Sequence, residues 1–195
     1  QLQRARHEVL FAFNHDRVFV EKLIKSPRHV EIQILADAYG NVVHLGSRDC
    51  SIQRRHQKLL EVAPALSIPD DVMNNMCTTA IEVARHTGYV NAGTVEFLYE
   101  PSTQQFWFME VNPRLQVEHS VTEMVTGINI IKKQIEIAEG TPLDLKQDDI
   151  VINGNAIHVR INAEDPLQHF RPEGGRTVGV YRPPEGDGIR MDARL

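Results

Sequence analysis

The sequence predicts an α+β fold built on an antiparallel sheet. Residues 30–35 alternate in period two, and two strand-like stretches between residues 94 and 112 flank a turn. Residues 70–87 and 120–140 repeat apolar positions at spacings of three and four, which makes amphipathic helices. The two kinds of element are mixed without strict alternation, which disfavours a doubly wound sheet.

In chain order, residues 1–17 are polar with apolar Leu2, Val9, Leu10, Phe11 and Phe13, a pattern that suits a helix. Val18–Val20 reads as a short buried strand. Val30, Ile32 and Ile34 then alternate with Glu31, Gln33 and Leu35, and Asp37–Asn41 turns the chain into Val42–Leu45. The next helix takes Asp70 as N-cap, Gly88 as stop, and Met73 and Met76 as core fillers. A capping box from Ser120 to Glu123 opens another helix, and Gly127 separates it from one running through Ile128, Ile131, Ile135 and Ala138. Residues 141–153 read as a connector, followed by strands at Ala156–Ile161 and Thr177–Tyr181 with a proline and glycine turn at residues 171–175 between them.

The 195 residues are 42% apolar, enough for a core of one domain or a domain and a half. A net charge of −5 argues against a phosphate backbone as main partner, so Gln53–Lys58, with its clustered cations, is not read as a nucleic-acid patch. Cys50 and Cys77 form no Cys-x-x-Cys pair, which suggests neither disulfide framework nor structural zinc and fits a reducing compartment. The apolar runs are too short to span a bilayer and no signal peptide is visible, so a soluble protein is expected. The chain opens at Gln1 without a methionine and ends just after a strand-like stretch, so it reads as part of something longer.

The hairpin carries the first chemical signal. Thr94–Tyr99 and Phe106–Asn112 flank Glu100–Gln105, and a register symmetric about residue 103 sets Glu96 opposite Glu110, with Asn112 on the same face. Like charges so placed call for a cation or a proton between them, and oxygen donors suit magnesium completed by a nucleotide phosphate. The same pair also fits two glutamates facing solvent on a half-exposed sheet. Next, Asn112–His119 puts Arg114, Gln116 and Glu118 in an irregular turn before a helix N-terminus. That turn could hold a small oxyanion and accept its proton, or could be an ordinary solvated loop. His29 and His56 taken alone fit ordinary surface or hydrogen-bonded histidines.

Five successive motifs resemble those of biotin carboxylases: Glu21-Lys22, Pro27-Arg28-His29-Val30-Glu31-Ile32-Gln33, residues 48–58 from Arg48-Asp49-Cys50 to Lys58, Gly93-Thr94-Val95-Glu96-Phe97, and residues 110–119. Their order and spacing match the family as well, from about Phe19 to about Asp192. The resemblance implies an ATP-grasp fold, with residues 1–20 as the tail of the lid region, 21–142 as the C-terminal lobe bearing the nucleotide, magnesium and bicarbonate site, and 143–195 as the start of the C-terminal domain.

The same resemblance implies site roles. Glu21, Lys22, Leu23 and Ile24 would form the hinge that binds adenine, with His29, Gln53 and His56 near the rest of the ATP. Glu96 and Glu110, assisted by Asn112, would hold magnesium or manganese. Lys58, Arg114, Gln116 and the Val117 backbone would hold bicarbonate, with Glu118 as its general base. Arg160 would stabilise the biotin enolate. Implied partners are a biotin carrier protein, a carboxyltransferase and a second copy of the chain or a larger assembly, in the cytoplasm or an organelle matrix. Residues 160–166 resemble the acyl-CoA type, which serves fatty acid synthesis, slightly more than the pyruvate type.

Another ATP-grasp ligase joining a carboxylate to an amine is the enzyme alternative, and a non-catalytic nucleotide-binding relic is the other. Intact Glu96, Glu110, Arg114, Glu118 and Arg160 argue against the relic. The family's N-terminal domain and glycine-rich lid, with lysines that meet the ATP phosphates, are absent from this sequence, and the loop between Glu96 and Glu110 is longer than in some relatives. The isolated 195-residue chain is therefore expected to show little or no catalysis when assayed for biotin carboxylation, and robust turnover would contradict that expectation.

Overall fold

Two central strands, apolar or densely paired on both faces, organise the molecule in the computed structural model, which describes residues 1–174 and 184–192. The elements of the sheet are β1 (Arg28–Ala36), β2 (Val42–Arg54), β3 (Gln57–Ala63), β4 (Asn91–Glu100), β5 (Gln105–Asn112) and β6 (Ala156–Val159). They lie in the order β5-β4-β1-β2-β3-β6, and every neighbouring pair is antiparallel. The helices are α1 (Leu2–Phe13), α2 (Asp70–Thr87), α3 (His119–Thr126) and α4 (Ile130–Ala138). None is long and apolar enough to cross a membrane.

The period-two reading of β1 is correct, but its second face does not meet water. Val30, Ile32 and Ile34 pack with Val95, Phe97 and Tyr99 of β4 beneath Val72, Met76, Ala80 and Ala84 of α2. On the opposite face Leu35, Val43, Leu45 and Ala92 meet Ile130 and Ile137 of α4, while Ala63 meets Val121 and Val125 of α3. Glu31 and Gln33 point to that same side and are fully buried.

Two bulges decide which side chains reach this face. Ile32 pairs with Ser47 but Ile34 with His44, so an extra residue enters β2 near Gly46, whose φ of +83° suits glycine. The shift moves the run Val43, Leu45 onto the run Arg48, Cys50, so all four face α3 and α4. In β5, Phe97 pairs with Phe108 but Glu96 with Glu110, which leaves Met109 as the inserted residue. Glu96 and Glu110 are thus opposite, as the sequence suggested, although Glu100 pairs with Gln105 and the hairpin is not symmetric about residue 103.

Several local expectations are corrected. Val18–Val20 forms no strand: Phe19 and Val20 are exposed and pair with no strand among the described residues. Asp70 is the first helical residue rather than the cap, which is Pro69, and it complements the helix dipole there. The Ser120–Glu123 box does not form, because Glu123 instead accepts from the Ile130 backbone at 2.6 Å and supports the start of α4, whose own cap is Asn129. Helix stops at Gly88 and Gly127 stand as expected, both with positive φ. β6 ends at Val159, and the expected strand at Thr177–Tyr181, like Gly175, lies outside the described residues.

The connector after α4 is pinned to the β1–β2 hairpin. Asp37 accepts from the Leu143 backbone at 2.8 Å, and the Gln147 amide exchanges bonds with both His44 N and His44 O. The chain divides into two compact units, Gln1–Val159 and Arg160–Leu195. Within the second, β7 (Glu164–Asp165) pairs with β8 (Arg171–Pro172).

Phe97 is wholly buried between α2 and the edge-on rings of Phe106 and Phe108. Phe97→Ala is expected to cost about 3–5 kcal/mol in urea unfolding. A loss below about 1 kcal/mol would mean that this layer is not packed as described.

Candidate functional site

Where the sheet passes under α3, its polar side chains form one buried network. The Lys58 ammonium lies among three carboxylates, 2.6 Å from Glu31, 3.0 Å from Glu96 and 2.8 Å from Glu118. β3 supplies Lys58, β1 Glu31 and β4 Glu96, while Glu118 is the residue at which α3 begins. Behind them Arg48, with no solvent exposure, donates to Glu31 at 2.6 Å, to Gln33 and Thr122 at 2.8 and 2.9 Å, and to Thr94 and Gln116 at 3.2 and 3.1 Å.

Glu96 is densely paired on the outer side. Its Oε1 accepts from Lys58, from Asn112 at 2.8 Å and from Gln116 at 2.8 Å. Its Oε2 lies 2.7 Å from His29, whose other ring nitrogen is 2.8 Å from the Gln53 amide. Burial alone would push Glu96 up, but the His29 hydrogen bond and the Lys58 ammonium outweigh it and hold the carboxyl at about 2. For Glu31 too, burial is opposed by Arg48 and Lys58, which keep it below the usual range. Burial pushes the Cys50 thiol far up, and Cys50 donates to Glu31 at 3.1 Å as a neutral group.

The carboxylates of Glu31, Glu96 and Glu118 outnumber the cations Arg48 and Lys58 by one. Carboxylates gathered at the open edge suit a cation there. Around Lys58 and Arg48, ligand atoms of His29, Glu31 and Glu96, and of Glu31, Cys50 and Glu118, gather within 4.8 Å of one another.

Of the residues singled out in the sequence, Lys58, Glu96, Asn112, Gln116, Glu118, His29 and Gln53 meet in this network. Glu110 faces Glu96 across the ladder and is exposed, so its carboxylate is open to a ligand. Two carboxylates and an amide oxygen at Glu96, Glu110 and Asn112 make an all-oxygen set that fits magnesium. Arg114 is exposed and donates to the Leu115 carbonyl at 3.1 Å; Val117 is exposed as well. His56 sits at the tip of the β2–β3 turn, where Arg55 and His56 both have positive φ. Glu21, Lys22, Leu23 and Ile24 belong to no helix or strand, and the Lys22 ammonium is 5.1 Å from the Trp107 ring centroid. Arg160 opens the second unit.

Sequence reasoning quoted Glu31, Gln33, Arg48 and Thr94 within motifs but gave none of them a role, and it passed over Thr122. The available signal was the polar run Glu31, Gln33 inside a strand with apolar flanks, together with Arg48 in a second such strand. A buried charge at such a position requires a partner.

Residues 1–146 match the family described as the carbamoyl-phosphate synthase L chain, ATP binding domain. Over 191 residues the chain is 53% identical to a biotin carboxylase of Nostoc sp., covering 98% of this chain but 42% of that protein. A pyruvate carboxylase of Rhizobium etli, solved with acetyl coenzyme A, matches with a TM-score of 0.91 and 46% identity over 97% of this chain and 17% of that one. The biotin carboxylase domain dimer of a Hydrogenobacter thermophilus 2-oxoglutarate carboxylase, solved with MgADP, ADP and bicarbonate, matches with a TM-score of 0.82. It is 47% identical over 88% of this chain and 38% of that one.

Because Glu96 is held down in the folded chain, its contribution to stability is complete above about pH 4.5 and is lost as the pH falls towards about 2. Glu96→Gln mimics the protonated form. The stability gap between the parent chain and this variant is therefore expected to be largest near neutrality, on the order of 3 kcal/mol, and to shrink below pH 4.5. A gap that does not change with pH in urea titrations would contradict this.

Proposed function

Since the chain belongs to the carbamoyl-phosphate synthase L chain ATP-binding domain family and is similar over nearly its whole length to biotin carboxylases, we propose that it forms the bicarbonate-activating part of an ATP-dependent biotin carboxylase. The observation that carries this reading is the contact of Lys58 with Glu31, Glu96 and Glu118 beside Gln116. It combines a fixed cation for an oxyanion with a carboxylate able to take a proton.

Bicarbonate would lie against Lys58, Gln116, the Val117 backbone and the Arg114 guanidinium, which faces solvent in the turn before α3. Glu118 takes the bicarbonate proton as its oxygen attacks the γ-phosphorus of ATP; ADP leaves and carboxyphosphate forms. Carboxyphosphate then breaks down to carbon dioxide and phosphate. The phosphate removes the proton from the biotin ring nitrogen, and that nitrogen attacks carbon dioxide. Arg160 stabilises the negative charge on the ureido oxygen while this happens. Glu96, Glu110 and Asn112 would hold magnesium, or manganese, which when bound neutralises charge on the transferred phosphoryl group.

Residues 21–24 would contact adenine, and His29, Gln53 and His56 the rest of the nucleotide. Residues 1–20 would belong to the lid region, 21–142 to the ATP-grasp lobe, and the chain from residue 143 to the following domain. A biotin carrier protein and a carboxyltransferase would be the partners, with a homodimer or larger assembly. Residues 160–166 favour an acyl-CoA acceptor, and so a role in fatty acid synthesis in the cytoplasm or an organelle matrix, over pyruvate.

The test is ADP release by the full-length protein that carries this segment, or by the Nostoc relative with this segment exchanged for its own. Release is expected to require bicarbonate and to rise with free biotin, and Arg160→Ala is expected to abolish only the rise. Nucleotide binding with no response to bicarbonate or biotin would instead favour a carboxylate-amine ligase or a binding relic.

A further inference from the structure

We propose that Arg48 is a positioning residue of this site: from the closed side of the sheet it fixes which end of the Gln116 amide faces the reacting side and holds the Glu31 carboxylate in place beside Lys58. The proposal deepens the reading above and rests on it.

A guanidinium carries five N–H donors in one rigid plane. Arg48 directs them to five side chains on four separate pieces of chain: Glu31 and Gln33 of β1, Thr94 of β4, Thr122 of α3, and Gln116 in the turn before α3. None of these partners is exposed to solvent beyond a few per cent, so no water is on hand to replace a missing donor.

The consequences run outward. Gln116 Oε1 accepts from Arg48, so the amide NH2 is the end that meets Glu96 Oε1 at 2.8 Å. Turning that amide over would set its NH2 against the guanidinium and its oxygen against a carboxylate. Both contacts would be repulsive. Glu31 Oε1 is taken by Arg48 and the Cys50 thiol, which leaves Oε2 for Lys58 at 2.6 Å. The ammonium is thereby held against Glu96 and Glu118 rather than drawn inward. Arg48 itself has no solvent exposure and touches no reacting atom. A lysine at this position would keep the charge but offers three donors on a flexible stem and cannot hold two amides in one plane.

The full-length protein that carries this segment, its Arg48→Lys variant and its Thr122→Val variant test the proposal. Thr122→Val keeps the guanidinium and removes one acceptor, so it serves if Arg48→Lys does not fold. In folded protein Arg48→Lys is expected to lower kcat/KM for bicarbonate about 100-fold through a raised KM, with nucleotide affinity within roughly threefold of the parent. Thr122→Val is expected to lose about tenfold in the same parameter. Unchanged kcat/KM in folded Arg48→Lys, or equal losses in bicarbonate and nucleotide binding, would overturn the positioning role.

A second readout does not depend on turnover. The Gln116 side-chain amide protons, followed by NMR in nitrogen-15 labelled protein, are expected to exchange slowly in the parent and at least about tenfold faster in both variants. Unaltered exchange overturns the proposal even in a protein with no carboxylase activity. Missing bicarbonate dependence in the parent, with faster exchange in the variants, sinks only the functional reading.

Discussion

The contact between the Arg48 guanidinium and the Glu31 carboxylate, both wholly buried in the middle of the sheet, is the constraint on which the site depends. Moving either charge out of water alone costs several kcal/mol, and a lone buried ion pair is seldom repaid by its own attraction. Here the remaining donors and acceptors are also matched, by Gln33, Thr94, Thr122 and Gln116 around Arg48 and by Lys58 and Cys50 around Glu31. Removing one member strands the others. The network therefore fixes one arrangement of β1, β2, β4 and α3 more than it adds net stability.

Apolar packing supplies the rigid frame. α2 covers one face of the sheet with a continuous apolar layer, while α3 and α4 cover the other on either side of the polar stripe. The bulge near Gly46 is what lets β2 contribute Val43 and Leu45 to the α4 side and Arg48 and Cys50 to the polar stripe of that same face. The bulge at Met109 does similar work in β5, bringing Glu110 opposite Glu96. Both carboxylates are presented by strands rather than loops, which limits their drift.

Much of this was legible in the sequence where a local signal exists. Periodicity gave β1 and α2, positive-φ glycines marked the ends of α2 and α3, and the hairpin placed Glu96 opposite Glu110. Local patterns do not encode partners distant in the chain, and the misses follow from that. Glu123 was assigned to cap its own helix because Ser120 lies three residues before it, whereas the Ile130 amide, seven residues on, competes for it and wins. Val18–Val20 has strand propensity but no strand beside it among the described residues. The role of Arg48 is invisible locally, since its five acceptors are drawn from residues 31 to 122 and meet only after the sheet forms. Glu96 and Lys58 were found, but their direct contact was not, because a residue of β3 reaches a residue of β4 across two intervening strands.

The chemistry follows from the asymmetry of this network. Its inner side is closed by Arg48, and its outer side carries Lys58, Glu96 and Glu118, next to the exposed Glu110 and Arg114. Such an edge holds the Glu96 carboxylate, kept ionised, against a fixed ammonium. The most direct measurement is a carbon-13 NMR titration of the Glu31 side-chain carboxyl in the metal-free protein. With Arg48 and Lys58 bound as described, that carboxyl is expected to stay ionised from neutral pH to below the ordinary carboxylate range. A protonated Glu31 at neutral pH would show that burial outweighs the two cations and that the network is not built as described.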